Sequence, residues 1–179
     1  MKYLIITKKH IMLALCSVLV VTAVVIGSVS ARANTDRKLP IYCVETEKKQ
    51  IAISFDAAWG NDDTQTLIDI LKEYNVPATF FVVGSWVDKY PESVKALADA
   101  GHQIQNHSNT HPHMPQLSKN QMCDELKSCN DKIEKITGVC PTLHRPPYGD
   151  YDNALIESVE SLNMHTIQWS VEALEIKVM

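Results

Sequence analysis

The sequence has no excess of basic residues, no closely spaced cysteine pair, no internal repeat and no low-complexity segment. Each absence removes a class of protein. Residues 1 to 33 hold Lys2, Lys8, Lys9 and Arg32 with no acid, so the rest of the chain carries 13 basic against 21 acidic residues. That balance excludes a general binder of nucleic-acid phosphates. None of the five cysteines has the short paired spacing of a structural zinc site. With 45% hydrophobic and 21% charged residues in 179, the chain is neither a disordered tail nor a multi-pass membrane protein. What is present is enough sequence for one core, preceded by one special segment.

That segment is an apolar run from Ile11 to Val29, which follows three lysines. Nineteen residues at about 1.5 Å each just cross a hydrocarbon core of roughly 30 Å. Ala31-Arg32-Ala33 offers a small-x-small cleavage site, so residues 1–33 read either as an uncleaved membrane helix with its N-terminus inside or as a removable signal. Cys16 follows the bulky Leu15, which argues against a lipoprotein site. Either reading exports residues 34–179, as a domain on the outer face of the cell membrane or as a secreted one. Export permits disulfides. Cys123 and Cys129 share one predicted helix, point apart and should not pair; Cys43 with Cys140 stays open beside buried free thiols.

Residues 34–49 are polar, contain Pro40, and are expected to be a linker, with the domain starting near Gln50. From there short β-rich runs alternate with helical patterns. The expected strands are Gln50–Phe55, Ala78–Val83, Gln103–Asn106, Thr142–Arg145 and His165–Trp169. The expected helices are Thr64–Tyr74, Glu92–Ala100, Lys119–Thr137 and Tyr151–Leu162. Such alternation predicts an α/β fold with parallel strands and helices outside. Asp62 or Asp63 can cap the first helix. Ser118 with Gln121 forms a capping-box pattern, and Gly138 stops the helix that follows. Each helix shows one apolar stripe and a charged outer face.

Some polar residues fit no packing role. Asp56 ends the first strand, His107 and His111 follow the third, and Arg145-Pro146-Pro147-Tyr148-Gly149 follows the fourth. Parallel α/β folds gather the carboxyl ends of strands on one rim, so an acid, two histidines and an arginine should converge. Taken singly, an acid after a strand is a turn residue and Arg-Pro-Pro a rigid connection. Together they suit one chemistry. Two imidazoles four residues apart can bind a divalent metal. A carboxylate such as Asp56 can then take a proton from activated water, and Arg145 can hold that carboxylate ionised. The pattern points to a hydrolase for a carbonyl substrate.

These residues resemble the polysaccharide deacetylases that share the NodB-homology domain, a carbohydrate esterase type. Ile53-Ser54-Phe55-Asp56 is similar to the first motif of that family, His107-Ser108-Asn109-Thr110-His111-Pro112 to the second, Arg145-Pro146-Pro147-Tyr148-Gly149 to the third, and Gln168 through Glu175 to the fourth. The resemblance implies removal of N-acetyl groups from amino-sugar polymers such as peptidoglycan or chitin-like chains. It implies a divalent metal, zinc with cobalt as alternative, on His107 and His111. Asp56 would be the base, Arg145 its tether, Tyr148 the bearer of the oxyanion-stabilising amide, and Glu175 the partner of the arginine. Its fold would be a distorted (β/α) barrel.

The chain differs from that pattern in three places. Ala57 replaces a second Asp that ligates the metal, with Asp62 or else Asp63 as a candidate substitute; Glu175-Ile176 replaces Asp-Trp; and the chain ends at Met179, before a Leu-and-His motif that supplies a general acid. The expectation is therefore an incomplete barrel whose open edge invites self-association. The alternative to a working enzyme is an inactive remnant that binds metal or glycan only.

Overall fold

The computed structural model describes residues 37–171 and the isolated positions 8, 9, 12, 17, 18 and 22. The apolar run Ile11–Val29 lies largely outside the described residues, and Glu175 wholly so. Among the described residues no helix is long and apolar enough to cross a membrane.

Five strands form one parallel sheet: β1 (Ile53–Ala57), β2 (Ala78–Val82), β3 (Gln103–Asn106), β4 (Leu143–His144) and β5 (His165–Thr166). They lie in sequence order, each hydrogen-bonded to the next. The helices between them are α1 (Thr64–Glu73), α2 (Gly84–Lys89), α3 (Pro91–Asp99), α4 (Lys119–Thr137) and α5 (Asn153–Ser161). Crossovers between parallel strands are right-handed as a rule, and with strands in sequential order that rule sends successive helices to the same face of the sheet. The side chains follow that division. Ile53, Phe55 and Ala57 of β1 pack against the core with Phe80 and Val82 of β2 and Ile68, Leu71, Val94 and Leu97 of the helices. Ser54 and Asp56, one residue out of phase, face the other way, as the two-residue period of a strand requires.

Pairing begins at Ile53 because β2 offers its first partner there, Ala78. The sequence had suggested Gln50. A second apolar cluster of Met114, Met122, Leu126, Leu155, Val159 and Met164 lies under α4 and α5. Each fully buried aliphatic side chain of this kind contributes about 1.5–3 kcal/mol. α4 has the bounds the sequence implied. Ser118 Oγ accepts from Gln121 N–H, Gln121 Oε1 accepts from Ser118 N–H, and Gly138 leaves the helix at φ 73°. α1 differs: Asp63 is its N-cap residue but makes no side-chain cap bond.

The expected linker is partly docked on the domain. Ile41 N–H donates to Thr166 O, and Gln168 N–H donates to Ile41 O, forming one parallel rung beside β5. Lys38 N–H donates to Asn153 Oδ1, and Pro40 is buried. A polar composition hid this docking, because the bonds are made by backbone. Cys43, Cys123, Cys129 and Cys140 are all free thiols. Cys129 alone of these is buried; its Sγ–H donates to Val82 O, and burial pushes the thiol up to about 12.

Candidate active site

The carboxyl ends of β1, β3 and β4 bring Asp56, His107 and Arg145 to one place. Arg145 Nη1 donates to Asp56 Oδ1 at 2.8 Å, and Nη2 donates to Ser54 Oγ at 2.7 Å. Asp56 Oδ2, the oxygen not held by Nη1, lies 4.0 Å from His107 Nε2. Arg145 is 5% exposed, and its guanidinium lies 4.1 Å from the ring centre of Phe81 and 5.7 Å from that of Trp169. A planar cation between aromatic faces keeps its fork fixed where a lysine would not. The sequence pointed to Arg145 and Asp56 but not to Ser54, Phe81 or Trp169. Ser54 was in fact legible, since it shares a strand face with Asp56.

His107 is 3% exposed. Its Nδ1 lies 2.7 Å from Arg145 O. A carbonyl only accepts, so Nδ1 carries the proton and Nε2 is left with its lone pair. Burial holds the His107 ring below the ordinary imidazole range, against the pull of Asp56. His111 is held low for the same first reason, and its Nδ1 is buried without a hydrogen-bond partner among the described residues. The two ring centres are 5.0 Å apart. Both imidazoles are therefore neutral at pH 7, which is the state a metal needs.

An unpartnered buried nitrogen on His111 and a bare nitrogen on His107, with a carboxylate close by, fit a divalent cation that favours imidazole. Asp62 and Asp63 are exposed at the turn before α1, and among the described residues no three His, Cys, Asp or Glu form a group able to hold a metal. Ala57 packs its methyl on the helix side of the sheet.

Tyr148 sits at φ 59° in a left-handed turn after β4, with its ring 4.6 Å from that of His111 and stacked at 4.2 Å on that of His113. Trp59 meets the His111 imidazole edge-on, with ring centres 5.6 Å apart. The loop that carries Trp59 is tied down by Trp86 Nε1–H donating to Gly60 O and by Asn61 Nδ2–H donating to Ser93 Oγ.

The family model for polysaccharide deacetylase matches residues 44–167. The chain belongs to the polysaccharide deacetylase family. Among its relatives is the peptidoglycan-N-acetylmuramic acid deacetylase PdaA of Bacillus subtilis (strain 168), 36% identical over 138 residues, which are 76% of this chain and 52% of that protein. The solved structure of PdaA, a family 4 carbohydrate esterase, superposes with a TM-score of 0.72 at 35% identity, covering 78% of this chain and 60% of that one. A family 4 pseudoenzyme from Bacillus anthracis superposes equally well, with a TM-score of 0.72 at 34% identity over 74% of this chain and 47% of that one. The chain spans about half the length of the curated relatives it matches. Polysaccharide deacetylase relatives of similar likeness thus include both a named deacetylase and a protein described as a pseudoenzyme.

Proposed function

We propose that this chain is a metal-dependent deacetylase domain acting on N-acetylated amino-sugar polymers of the cell wall, with Asp56 as base and His107 and His111 as metal ligands. One observation carries the reading: Arg145 holds the base through its side chain and the imidazole of His107 through its backbone carbonyl. A single residue so fixes two groups that must act on one water.

A divalent metal, zinc or cobalt, would supply a Lewis acid and a more acidic water when bound to the two imidazoles. The remaining work falls to the chain. Asp56 Oδ1 stays bonded to Arg145, so the proton goes to Oδ2, on the side of the histidines. Arg145 keeps the carboxylate oriented until that transfer. The amide of Tyr148 would donate to the oxyanion of the acetyl carbon as it becomes tetrahedral. Arg145 Nε is buried without a partner among the described residues, and Glu175 is our candidate acceptor for it. The five sequential parallel strands are, on this reading, an arc of a distorted (β/α) barrel. Residues 1–33 would deliver the domain to the outer face of the membrane, as an anchor or as a cleaved signal.

A second reading, a domain that binds metal or glycan without turnover, is favoured by Ala57, whose methyl packs where the family's first motif offers a second carboxylate. One experiment separates the two. Metal content by elemental analysis is measured alongside acetate release from peptidoglycan and N-acetylglucosamine oligomers. Metal with release supports the enzyme, metal without release selects the binder, and absence of metal after loading with zinc or cobalt overturns both metal readings and leaves only a glycan binder.

A further inference from the structure

The loop Ser108–His111 carries two residues in the left-handed region, Ser108 at φ 67° and His111 at φ 62°. Neither is glycine, so the conformation is strained and persists only where the surroundings impose it. The surroundings do so bond by bond. Ser108 N–H donates to Asn106 Oδ1, and its carbonyl accepts from Gly84 N–H. Asn109 O accepts from Ser85 N–H, and His111 N–H donates to Ser108 Oγ. The amides of Asn109 and Thr110 both donate to Glu125 Oε2 at 2.8 Å, and Thr110 Oγ–H donates to Glu125 Oε1 at 2.8 Å.

Glu125 is a midhelix residue of α4, where a carboxylate caps nothing in its own helix. Three donors converge on it, all from the loop between the two histidines. Lys132, two turns further along α4, donates to Asn109 Oδ1 at 2.7 Å and to Asp88 Oδ2 of α2 at 2.6 Å. Gly84 closes the third side: a Cβ there would lie 2.3 Å from Asn109 Oδ1. The loop is clamped between α4 and the start of α2.

We propose that Glu125 is a positioning residue for the metal site: by binding the Asn109 and Thr110 amides it holds His111 at the distance and angle from His107 that lets the two share one cation. The proposal rests on His107 and His111 being metal ligands. Charge-assisted bonds from two amides to one carboxylate are stronger than neutral ones, and no water replaces both in one geometry. Outer partners of ligand histidines are worth about 10–100-fold in metal affinity, and Glu125 acts at one further remove, on the loop.

The test uses the full-length chain titrated with Co²⁺, followed by visible absorbance, with amide hydrogen exchange of the metal-free protein as a second readout. Glu125→Ala is expected to bind Co²⁺ about tenfold more weakly and to exchange the Asn109 and Thr110 amides faster. Glu125→Gln, which keeps an oxygen acceptor in the same place, should recover most of both. Equal Co²⁺ affinity in Glu125→Ala and the unmodified chain overturns the proposal, as does unchanged exchange at the two amides. Should the unmodified chain bind no Co²⁺ that His107→Ala abolishes, the metal reading itself fails; exchange then still decides whether Glu125 holds the loop.

Discussion

Arg145 and Asp56 form a pair in which only one carboxylate oxygen is engaged, at 2.8 Å, while the other is turned toward His107. The guanidinium spends its second nitrogen on Ser54 rather than on a bidentate grip. A fully bidentate pair would have closed off the oxygen that a base must offer.

Replacing Arg145 with lysine should therefore lower acetate release by about 100-fold, because a point charge cannot hold Asp56 and Ser54 in one plane. Metal retention should stay near normal, since the bond from His107 goes to the backbone carbonyl at position 145. Kinetics beside elemental analysis will show it; parallel loss of metal would mean that the side chain supports the histidines as well.

Asp56→Asn separates base from ligand. The carboxamide keeps a bond to Arg145 but accepts no proton, so turnover should fall by about 100-fold or more while metal content changes little. Loss of most of the metal would recast Asp56 as a ligand.

Acid should destabilise the domain through its buried histidines. His144 is fully buried, its Nε2 has no partner among the described residues, and burial pushes the imidazole down to about 3. Between the ordinary value near 6.5 and that lower one, the unfolded chain takes up a proton that the folded chain refuses. The stabilisation is complete above about pH 6.5 and is lost as the pH falls toward about 3, at up to about 1.4 kcal/mol per pH unit for each such group. Burial depresses His107 and His111 as well, so they add to the slope in the metal-free protein. Urea unfolding at stepwise lower pH should show the decline, and His144→Gln should flatten part of it.

Gly84→Ala tests the loop clamp from the side of α2. Its methyl would meet Asn109 Oδ1 at 2.3 Å and Asn109 Cα at 3.1 Å, one of them backbone. A loss of about 1–3 kcal/mol in denaturant unfolding is expected, with weaker metal retention. An unchanged midpoint would show that the loop yields without cost.

Much of this architecture was legible from residues 50 onward, because strands with two-residue alternation and helices with capping signals state their own type. α4 is the clearest case: Ser118, Gln121 and Gly138 mark both ends. α2 was missed, since Gly84–Lys89 is too short for a helical period and follows the apolar Phe80–Val83 run without a cap. In the site, the acid, the histidines and the arginine were readable as strand-end residues without packing roles. Glu125 and Lys132 were not, because a charge on a helix reads as a solvated face until the loop beneath it is known. Phe81 and Trp169 act through Arg145, and long-range contacts of that kind leave no local trace; Ser54, by contrast, was marked in advance, by sharing a strand face with Asp56.

The order of the strands has a kinetic consequence. Each strand finds its partner in the next one along, so the sheet can grow progressively as the chain emerges, with one crossover connection to close at every step. The two halves of the reactive pair do not share that advantage. Asp56 must wait for a guanidinium 89 residues downstream, so a nascent or partly unfolded chain can own an ordered sheet and still lack the pairing that orients the proposed base.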